Sequence, residues 1–269
     1  MELSKEQLNA YDQDGFLVVE QLLSDQEIQQ LKTGIRQFDI LKELPNVICE
    51  EDGVIRSIFA PDKHNQHFDL LFRDARFLQP GMDLIEAELY LYQYKLNLKR
   101  AFAGRPWEWH QDFPYWQLDD GVKIPDMISV MIYLDDTRSF QGPLMVIPGS
   151  HKFDVVEFER KAILDRKDGS EKDLKHALGA NLKYTINKKM IREMADRNGI
   201  QVLEYKAGAT IFFHPNLFHA SNSNMSPYER DTIIITYNSI HNAPLSSERP
   251  EFVCSSDHRP IQPVLNVIG

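Results

Sequence analysis

Cysteine is scarce in this sequence. The chain has 269 residues but only two cysteines, Cys49 and Cys254, far apart in the chain. Two isolated thiols exclude a disulfide-stapled scaffold and a zinc site built from clustered cysteines. Such low usage is typical of a protein from a reducing cytosol, and we expect both side chains to be packing residues.

Excess positive charge and long apolar runs are also lacking. Lys and Arg number 30 against 40 Asp and Glu, which gives a formal net charge of -10. Nucleic acids and anionic membranes are therefore not expected as partners, because their recognition depends on clustered basic residues.

The N-terminus MELSKEQLNAYDQDG has neither the basic patch nor the apolar run of a signal peptide. No window approaches the roughly 18 apolar residues of a spanning helix, so the sequence predicts a soluble, cytoplasmic protein.

Helix-start signals are present near the N-terminus. Ser4 with Gln7 and Ser24 with Glu27 have the spacing of capping boxes. The second pair is followed by four apolar residues on one helical face, namely Ile28, Leu31, Ile35 and Phe38. These patterns predict a helical N-terminal part that covers about residues 1–85, interrupted by the short β-rich run FLVVEQLL.

From residue 87 onward the pattern is typical of strands. The segments AELYLYQYKLNL, DMISVMIYLDD, PLMVIPGS, ATIFFHPNLF and DTIIITYNSI are separated by Gly, Pro, Asp and Asn. Several of them are apolar on both faces, as strands of packed sheets must be. We therefore predict a mainly β fold with flanking helices and a jelly-roll core, in a single domain of residues 1–269. Residues 157–198 are rich in charge and predict an insertion, either a solvated surface segment or a lid.

The stretch EWHQDFPYW, residues 108–116, contains a candidate metal-binding pair. On a strand, residues i and i+2 point to the same face, so His110 and Asp112 are either two adjacent ligands or two ordinary hydrogen-bonded strand residues. A facial triad of two histidines and one carboxylate also needs a distant histidine. His214 and His219 in IFFHPNLFHASN are the candidates. His219 is favoured because Arg230 follows on the next strand, where a guanidinium can hold a dicarboxylate in a bidentate pair.

Together these segments carry a resemblance to a known family. The stretches YQYKLNLKRAFAG, WHQDFPYW and GPLMVIPGSHK, with the opening pattern DQDGFLVVEQLLSDQEI, resemble the phytanoyl-CoA dioxygenase superfamily. Its members are oxygenases that depend on Fe(II) and 2-oxoglutarate. Within it the sequence is most similar to the ectoine-hydroxylase-like branch, and there to bacterial enzymes that hydroxylate free L-leucine at its terminal methyl carbon. The similarity covers nearly the whole chain, and only residues 157–198 match poorly.

The resemblance implies both the fold and the main site. It implies a double-stranded β-helix in which Fe(II) is held by His110, Asp112 and His219 and O2 binds at an open position on the metal. It also implies that Arg230 holds the far carboxylate of the co-substrate 2-oxoglutarate. Ser221 matches a position that assists this clamp, and Asn97 matches a polar position near the co-substrate.

For the substrate, the resemblance implies a small, amino-acid-like molecule. Gln93, Lys95 and Trp116 match positions that line the substrate pocket, and Phe113 is one of several aromatic residues available for its apolar walls. Lys95 is either a partner of the substrate carboxylate or a surface lysine, and Trp116 is either a pocket residue or core packing. The carboxylate of Asp112 indicates hydroxylation, because halogenases of this class replace it with a small residue.

Three functions stay open at this point. The first is hydroxylation of a free aliphatic amino acid such as L-leucine. The second is hydroxylation of ectoine, an imino acid or another natural-product intermediate. The third is a cupin-type barrel that binds a ligand without catalysis, although a triad with a neighbouring arginine argues against it.

Overall fold

The protein is described by a computed structural model. The residues that it describes are 2–50, 52–153, 158–160, 178, 182–245, 247–265 and 267. Much of the segment 157–198 therefore lies outside the described residues, and its prediction as a surface segment or a lid is named here without a structural account. The single-domain assignment stays a prediction.

Five α-helices are found in this part of the chain. Both predicted capping boxes are confirmed: the side chain of Ser4 accepts from the backbone N–H of Gln7, and that of Ser24 accepts from the N–H of Glu27. A further helix lies at the end of the charge-rich segment, near residue 190. The helices are α1 (Lys5–Asp14), α2 (Asp25–Arg36), α3 (Ala75–Ile85), α4 (Phe113–Asp120) and α5 (Lys188–Asn198).

The strands dominate the architecture, and the predicted mainly β fold is confirmed. The first 85 residues contain strands as well as helices, so this part is less purely helical than expected. The strands are β1 (Phe16–Val19), β2 (Val47–Cys49), β3 (Ile55–Phe59), β4 (Leu89–Lys99), β5 (Trp107–His110), β6 (Met127–Tyr133), β7 (Leu144–Val146), β8 (Phe158–Arg160), β9 (Tyr184–Ile186), β10 (Gln201–Leu203), β11 (Thr210–Phe213), β12 (His219–Ser221) and β13 (Arg230–Ser239).

Two antiparallel sheets form the jelly roll. The major sheet has seven strands in the order β1-β11-β6-β13-β4-β3-β2, and the minor sheet has four in the order β10-β7-β12-β5. Strands β8 and β9 form a separate two-stranded sheet. Neighbours in the major sheet, such as β11 and β6, come from distant parts of the chain, as crossing connections in a jelly roll require.

Alternation along the major sheet separates its two faces. On β13, Ile233 and Ile235 pack outward in the cluster that contains residues of α1, α2 and α3, whereas Ile234 packs inward between the two sheets. Strand β4 follows the same rule, since Tyr94, Leu96 and Leu98 belong to the outer cluster. The intervening residues of β4 are polar, and they face the interior of the barrel because successive side chains point to opposite faces. This strand therefore supplies the barrel with polar groups.

Candidate active site

Pairing between two strands of the minor sheet brings the two predicted histidines together. The Cα atoms of His219 on β12 and His110 on β5 are register partners, and their ring centroids are 4.1 Å apart. Both residues are buried, with 7% and 6% of their surface exposed for His110 and His219. The long separation in sequence is thus closed by one pair of neighbouring strands.

Asp112 reaches the histidines from a different element than predicted. The strand β5 ends at His110, and Asp112 is the N-cap residue of α4 with helical backbone angles, φ −76° and ψ −38°. The prediction that both residues lie on one strand was therefore wrong. The backbone N–H groups of Asp112 and Phe113 both donate to the carbonyl of Pro215, at 3.0 and 3.1 Å. This anchor turns the chain so that the carboxylate still faces the two imidazoles.

The three side chains form a compact ligand set. Oδ1 of Asp112 lies 3.6 Å from Nε2 of His110 and 3.8 Å from Nε2 of His219. In the part of the chain that the structure describes, this is the one group of three or more His, Cys, Asp or Glu whose ligand atoms all lie within 4.8 Å of one another. These separations are too long for hydrogen bonds, and they suit groups that contact a shared ion.

Backbone carbonyls fix the orientation of both imidazoles. Nδ1 of His110 lies 2.7 Å from the carbonyl oxygen of Glu108, and Nδ1 of His219 lies 2.9 Å from that of Leu217. Each Nδ1 therefore carries the proton and donates it to the carbonyl, which leaves the lone pair of Nε2 directed at Asp112. Neutral imidazoles with this tautomer are the form that binds a metal ion.

Electrostatics favour the same protonation states. Burial and the nearby His110 lower the pKa of His219 to about 4, so His219 is neutral near pH 7. Burial alone would raise the pKa of Asp112, but His219, the contact with His110 and the charge of Lys95 together hold it below its usual range. The carboxylate is therefore ionised. Two neutral imidazoles and one carboxylate fit a divalent iron ion.

His214, the alternative to His219, lies outside this group. Its ring packs against His151 with centroids 5.2 Å apart, and its Nδ1 accepts the backbone N–H of Asn216 at 3.0 Å. Burial and the neighbouring His151 lower the pKa of His214 to about 3. It is a packed, neutral histidine in the loop before β12. The preference for His219 over His214 thus agrees with the geometry.

The ligand set opens into a cavity between the two sheets. The space inside it, counted together with the open solvent at its mouth, is about 510 Å³. Apolar side chains from six strands, β5, β6, β7, β11, β12 and β13, line one part of it, and polar side chains line the rest. The lining residues are Lys95, Asn97, Trp107, His110, Asp112, Met131, Leu144, Phe213, His219, Ala220, Ser221, Arg230 and Ile234.

Arg230 lines this cavity from the first position of β13. Its guanidinium donates to the carbonyl of Gly142 at 2.8 Å and to the hydroxyl of Thr232 at 3.3 Å, while its buried Nε has no hydrogen-bond partner in the described residues. Burial lowers the pKa of Arg230, yet a guanidinium stays protonated in proteins. A buried cation with an unsatisfied donor is a ready partner for a carboxylate.

The other predicted co-substrate residues lie in the same lining. Ser221 ends β12, and it is two residues beyond His219. Asn97 lies on the barrel face of β4, and its side-chain oxygen accepts from the hydroxyl of Ser57 at 2.9 Å. The structure therefore brings Ser221, Asn97 and Arg230 together with the triad.

The predicted substrate residues are distributed differently. Lys95 lines the cavity, and its ammonium makes no hydrogen bond or ion pair with any described residue. Gln93 instead donates to the carbonyl of Val253 at 2.7 Å and is buried. Phe113 and Trp116 pack in a neighbouring apolar cluster, where the ring of Trp116 lies 5.4 Å from that of Tyr92. Of the four, only Lys95 is among the lining residues.

The carboxylates at the end of α4 are already paired. Asp120 is buried and accepts from Arg249, from the hydroxyl of Tyr92 and from the hydroxyl of Ser247. Asp119 accepts from Lys183 at 2.6 Å and from the hydroxyl of Tyr184 at 3.0 Å. Both residues therefore hold the scaffold around α4, and neither is a free partner for an ammonium group.

Two supporting contacts were missed by sequence reasoning. The guanidinium carbon of Arg56 lies 3.9 Å from the ring centre of Trp107, and Trp107 lines the cavity. The hydroxyl of Tyr115 donates to the carbonyl of Tyr184 and accepts its N–H, both at 2.9 Å, which fixes β9 beside the triad. The aromatic residues in WEWHQDFPYW were the available signal in the sequence. The partners of Trp107 and Tyr115 lie about 50 to 70 positions away in the chain, so the sequence did not reveal these contacts.

A jelly roll in which a facial triad and a buried arginine share one cavity has the architecture of the double-stranded β-helix oxygenases. The sequence matches the phytanoyl-CoA dioxygenase (PhyH) family over residues 11–232. The chain belongs to this family, and the resemblance to the phytanoyl-CoA dioxygenase superfamily noted in the sequence is confirmed.

Individual proteins similar to this chain include a proline hydroxylase and ectoine dioxygenases, and similar solved structures include those of EctD. The chain is 32% identical to an L-proline trans-4-hydroxylase of Streptomyces griseoviridis, over 94% of this chain and 93% of that protein. The crystal structure of EctD from S. alaskensis with bound Fe has a TM-score of 0.81 and 27% identity, and covers 98% of this chain and 88% of that one. The structure of the same protein with 2-oxoglutarate and 5-hydroxyectoine has a TM-score of 0.78 and 28% identity, over 99% and 87% of the two chains.

Among the described helices, none combines the length and apolarity needed to cross a membrane.

Proposed function

We propose that this protein is an Fe(II)- and 2-oxoglutarate-dependent dioxygenase that hydroxylates a small free amino acid, with L-leucine or a close aliphatic analogue as its substrate. The observation that carries the proposal is the convergence of His110, Asp112 and His219 in the same cavity as Arg230. Family membership and the proline- and ectoine-hydroxylating relatives support this reaction class.

His110, Asp112 and His219 are the proposed ligands of Fe(II). Their ligand atoms are close together and correctly ionised, and three protein ligands leave open positions for a co-substrate and O2. When bound, the iron supplies O2 activation, which couples hydroxylation of a C–H bond to oxidative decarboxylation of 2-oxoglutarate to succinate and CO2. The carboxylate of Asp112 occupies the position that a halide would need, which supports hydroxylation over halogenation.

Arg230, with Ser221 and Asn97, is the proposed binding site for 2-oxoglutarate. The guanidinium is held in place by Gly142 and Thr232, so that it is organised before the ligand arrives. A charge-assisted hydrogen bond from Arg230 fixes the distal carboxylate and thereby orients the keto acid end toward the triad. Ser221 adds a hydroxyl on the same wall.

Lys95 is the proposed anchor of the substrate carboxylate. Lys95 lines the cavity near Asp112 and makes no hydrogen bond or ion pair with a described residue, and an amino acid held there has its side chain free to reach the metal site. The apolar share of the cavity lining favours an aliphatic side chain. Gln93, Trp116 and Phe113 remain proposed substrate residues, although their described contacts lie with Val253 and the adjacent apolar cluster.

An imino acid such as proline is the second candidate substrate, and ectoine is a related one. The relative of 94% coverage that hydroxylates L-proline supports this alternative, and a carboxylate anchor at Lys95 serves either substrate. A barrel that only binds a ligand is not supported, because it has no use for an open-sided metal triad beside a dicarboxylate clamp. The low cysteine usage, which suits a reducing cytosol, supports the cytoplasm as the compartment that we propose.

Succinate formation with a panel of amino acids tests the proposal. The purified protein is supplied with Fe(II), ascorbate, O2 and 2-oxoglutarate, together with L-leucine, L-isoleucine, L-proline or ectoine. We expect succinate in excess of the substrate-free level with L-leucine, and a product heavier by one oxygen atom by mass spectrometry. Turnover confined to proline or ectoine would favour the second candidate, and absence of turnover with every compound would contradict both.

Lys95→Met tests the substrate anchor. We expect a KM for the amino acid that rises by about tenfold to a hundredfold, because a charge-assisted contact is lost, with the affinity for 2-oxoglutarate unchanged. Lys123→Met, which alters an exposed lysine near α4, is the matched control. An unchanged KM in Lys95→Met would contradict the assignment.

A further inference from the structure

Lys99 is a buried lysine that the proposed reaction does not use. It is the last residue of β4 and only 2% exposed, and its Cα is the register partner of Arg230 on β13. Its ammonium donates to the backbone carbonyls of Arg105, at 2.8 Å, and of Asn222. Among the described residues no carboxylate lies within ion-pair distance of it. The charge of Lys99 is therefore buried without an opposite charge in contact.

The charged groups around Lys99 disfavour its protonated form. Arg230 faces it from β13 and Arg56 faces it from β3, whereas Glu50, after β2, is the one opposing anion and is itself bonded to Arg56. Burial lowers the pKa of Lys99 first, and the two arginines lower it further, to about 6. A lysine in such surroundings loses its proton near neutral pH.

The contacts of Lys99 join the segments that carry the site. Arg105 lies just before β5, which ends at His110, and Asn222 directly follows Ser221 at the end of β12. The packing is tight, since a Cβ atom added at Gly104 would lie 2.8 Å from Cβ of Lys99. One amine therefore ties β4 to the two strands that carry the histidines.

We propose that Lys99 is a positioning residue of the co-substrate site that takes up one proton when 2-oxoglutarate binds to Arg230. This inference rests on the proposed function, because it requires the dicarboxylate to bind at Arg230. A carboxylate bound beside Arg230 offsets the positive charge of this guanidinium. Because that charge repels a protonated Lys99, its neutralisation favours the ammonium form of the lysine. The proton comes from the solvent, and the charged amine then binds both carbonyls more strongly.

Proton uptake has a defined consequence for affinity. Binding that takes up a proton is weakened as the proton becomes scarce, so the affinity for 2-oxoglutarate falls as pH rises above about 6. The fall approaches about tenfold per pH unit where a whole proton is taken up. Below pH 6 the lysine is already charged, and the affinity becomes independent of pH through this group.

Calorimetry under anaerobic conditions tests the inference. Binding of 2-oxoglutarate to the Fe(II)-loaded protein is measured at pH 7.5 in buffers with different ionisation enthalpies, which gives the number of protons taken up. We expect at least about half a proton per bound 2-oxoglutarate for the unchanged protein. We expect none for Lys99→Met or Lys99→Arg, and the wild-type value for Lys206→Met, whose exposed side chain pairs with Asp136.

Each outcome has a separate meaning. Uptake near zero in the unchanged protein, or the same uptake in Lys99→Met, would overturn the role of Lys99 while leaving the proposed function intact. Absence of any 2-oxoglutarate binding would instead overturn the proposed function, and this inference with it. Lys99→Arg keeps a permanent cation at this position and should also take up no proton, so it assigns the proton to Lys99 if Lys99→Met fails to fold.

Discussion

Oδ1 of Asp112 lies 3.8 Å from Nε2 of His219, although the two residues are more than a hundred positions apart in the chain. The distance is too long for a hydrogen bond and short enough for one ion to contact both atoms. Asp112 is held by the carbonyl of Pro215 and His219 by that of Leu217. The same loop before β12 therefore positions two of the three proposed ligands, which makes the site depend on this loop.

Removal of the carboxylate is expected to abolish metal binding. Asp112→Ala leaves two histidines, and we expect the affinity for Fe(II) to fall by more than about a hundredfold, since even the loss of outer-shell partners costs about 10- to 100-fold. Metal content after dialysis and succinate formation measure the effect.

His214→Gln is the matched control for Asp112→Ala. His214 is a partly buried histidine of the same loop but lies outside the ligand set, so we expect the variant to retain its iron. Loss of iron from His214→Gln, or retention by Asp112→Ala, would contradict the assignment of the ligands.

Arg230 is expected to control the affinity for the co-substrate. Arg230→Met removes a charged partner from a buried site, and we expect the free energy of 2-oxoglutarate binding to weaken by roughly 2–4 kcal/mol, about 30- to 1,000-fold in affinity. Arg230→Lys is expected to restore only part, because a lysine lacks the planar fork of the guanidinium.

The measurement for Arg230 is anaerobic titration with 2-oxoglutarate, followed by the KM values of both substrates. Arg197→Met, at an exposed position of α5, should behave like the unchanged protein. If Arg230→Met binds 2-oxoglutarate normally and loses only amino acid affinity, the clamp has been assigned to the wrong ligand.

Features that depend on residues close in sequence could be predicted, whereas contacts between distant segments around the site could not. The capping boxes at Ser4 and Ser24 depend on residues three positions apart, so they were legible and are confirmed. The jelly roll followed from strand-like runs and from family resemblance. The pairing of β5 with β12, which joins His110 to His219, depends on contacts between distant segments, and spacing alone left His214 open beside His219.

Asp112 was predicted on a strand but lies at the start of helix α4. The i, i+2 rule assumed that the strand continues past His110, but a helix begins at Phe113, with Pro114 in its first turn and Gly121 in the left-handed conformation at its end. Proline in the first turn and glycine after the last turn are helix signals, and they were present in the sequence. The Lys99 and Arg56 contacts left no such local sign, because their partners lie in other strands.

The buried ion pair between Asp120 and Arg249 is expected to stabilise the fold. Asp120→Asn leaves Arg249 without its counter-charge, and we expect the free energy of unfolding to fall by about 3–5 kcal/mol, or roughly 10 °C in Tm for a chain of this size. Replacing both partners, as in Asp120→Leu with Arg249→Met, should recover part of the loss, because no unpaired charge remains.

Thermal unfolding followed by circular dichroism measures the contribution of Asp120. Asp257→Asn is the control, since Asp257 and Arg259 form a pair of the same chemistry on the surface, and exposed pairs contribute little. A fall in Tm for Asp257→Asn as large as for Asp120→Asn would show that burial of the pair is not the cause.

Asp231 gives the stability of the protein a dependence on pH. It is 1% exposed, its Oδ1 has no hydrogen-bond partner among the described residues, and burial raises its pKa to about 7. An unfolded aspartate titrates near pH 3.9, so between about pH 4 and 7 the unfolded state loses its proton before the folded state does. Asp231 therefore costs the folded state an amount that grows over this range to about 4 kcal/mol and then stays constant.

Asp231→Asn is consequently expected to gain stability relative to the unchanged protein as pH rises from 5 to 7, with no further gain at pH 8. Urea unfolding at these pH values measures the difference. Asp136→Asn is the control of opposite sign, because the hydrogen bond from Lys206 lowers the pKa of Asp136 against a smaller effect of burial. Its carboxylate stabilises the fold once ionised, so Asp136→Asn should not gain on the unchanged protein as pH rises. A pH-independent difference for Asp231→Asn would mean that the buried carboxylate is already ionised at pH 5.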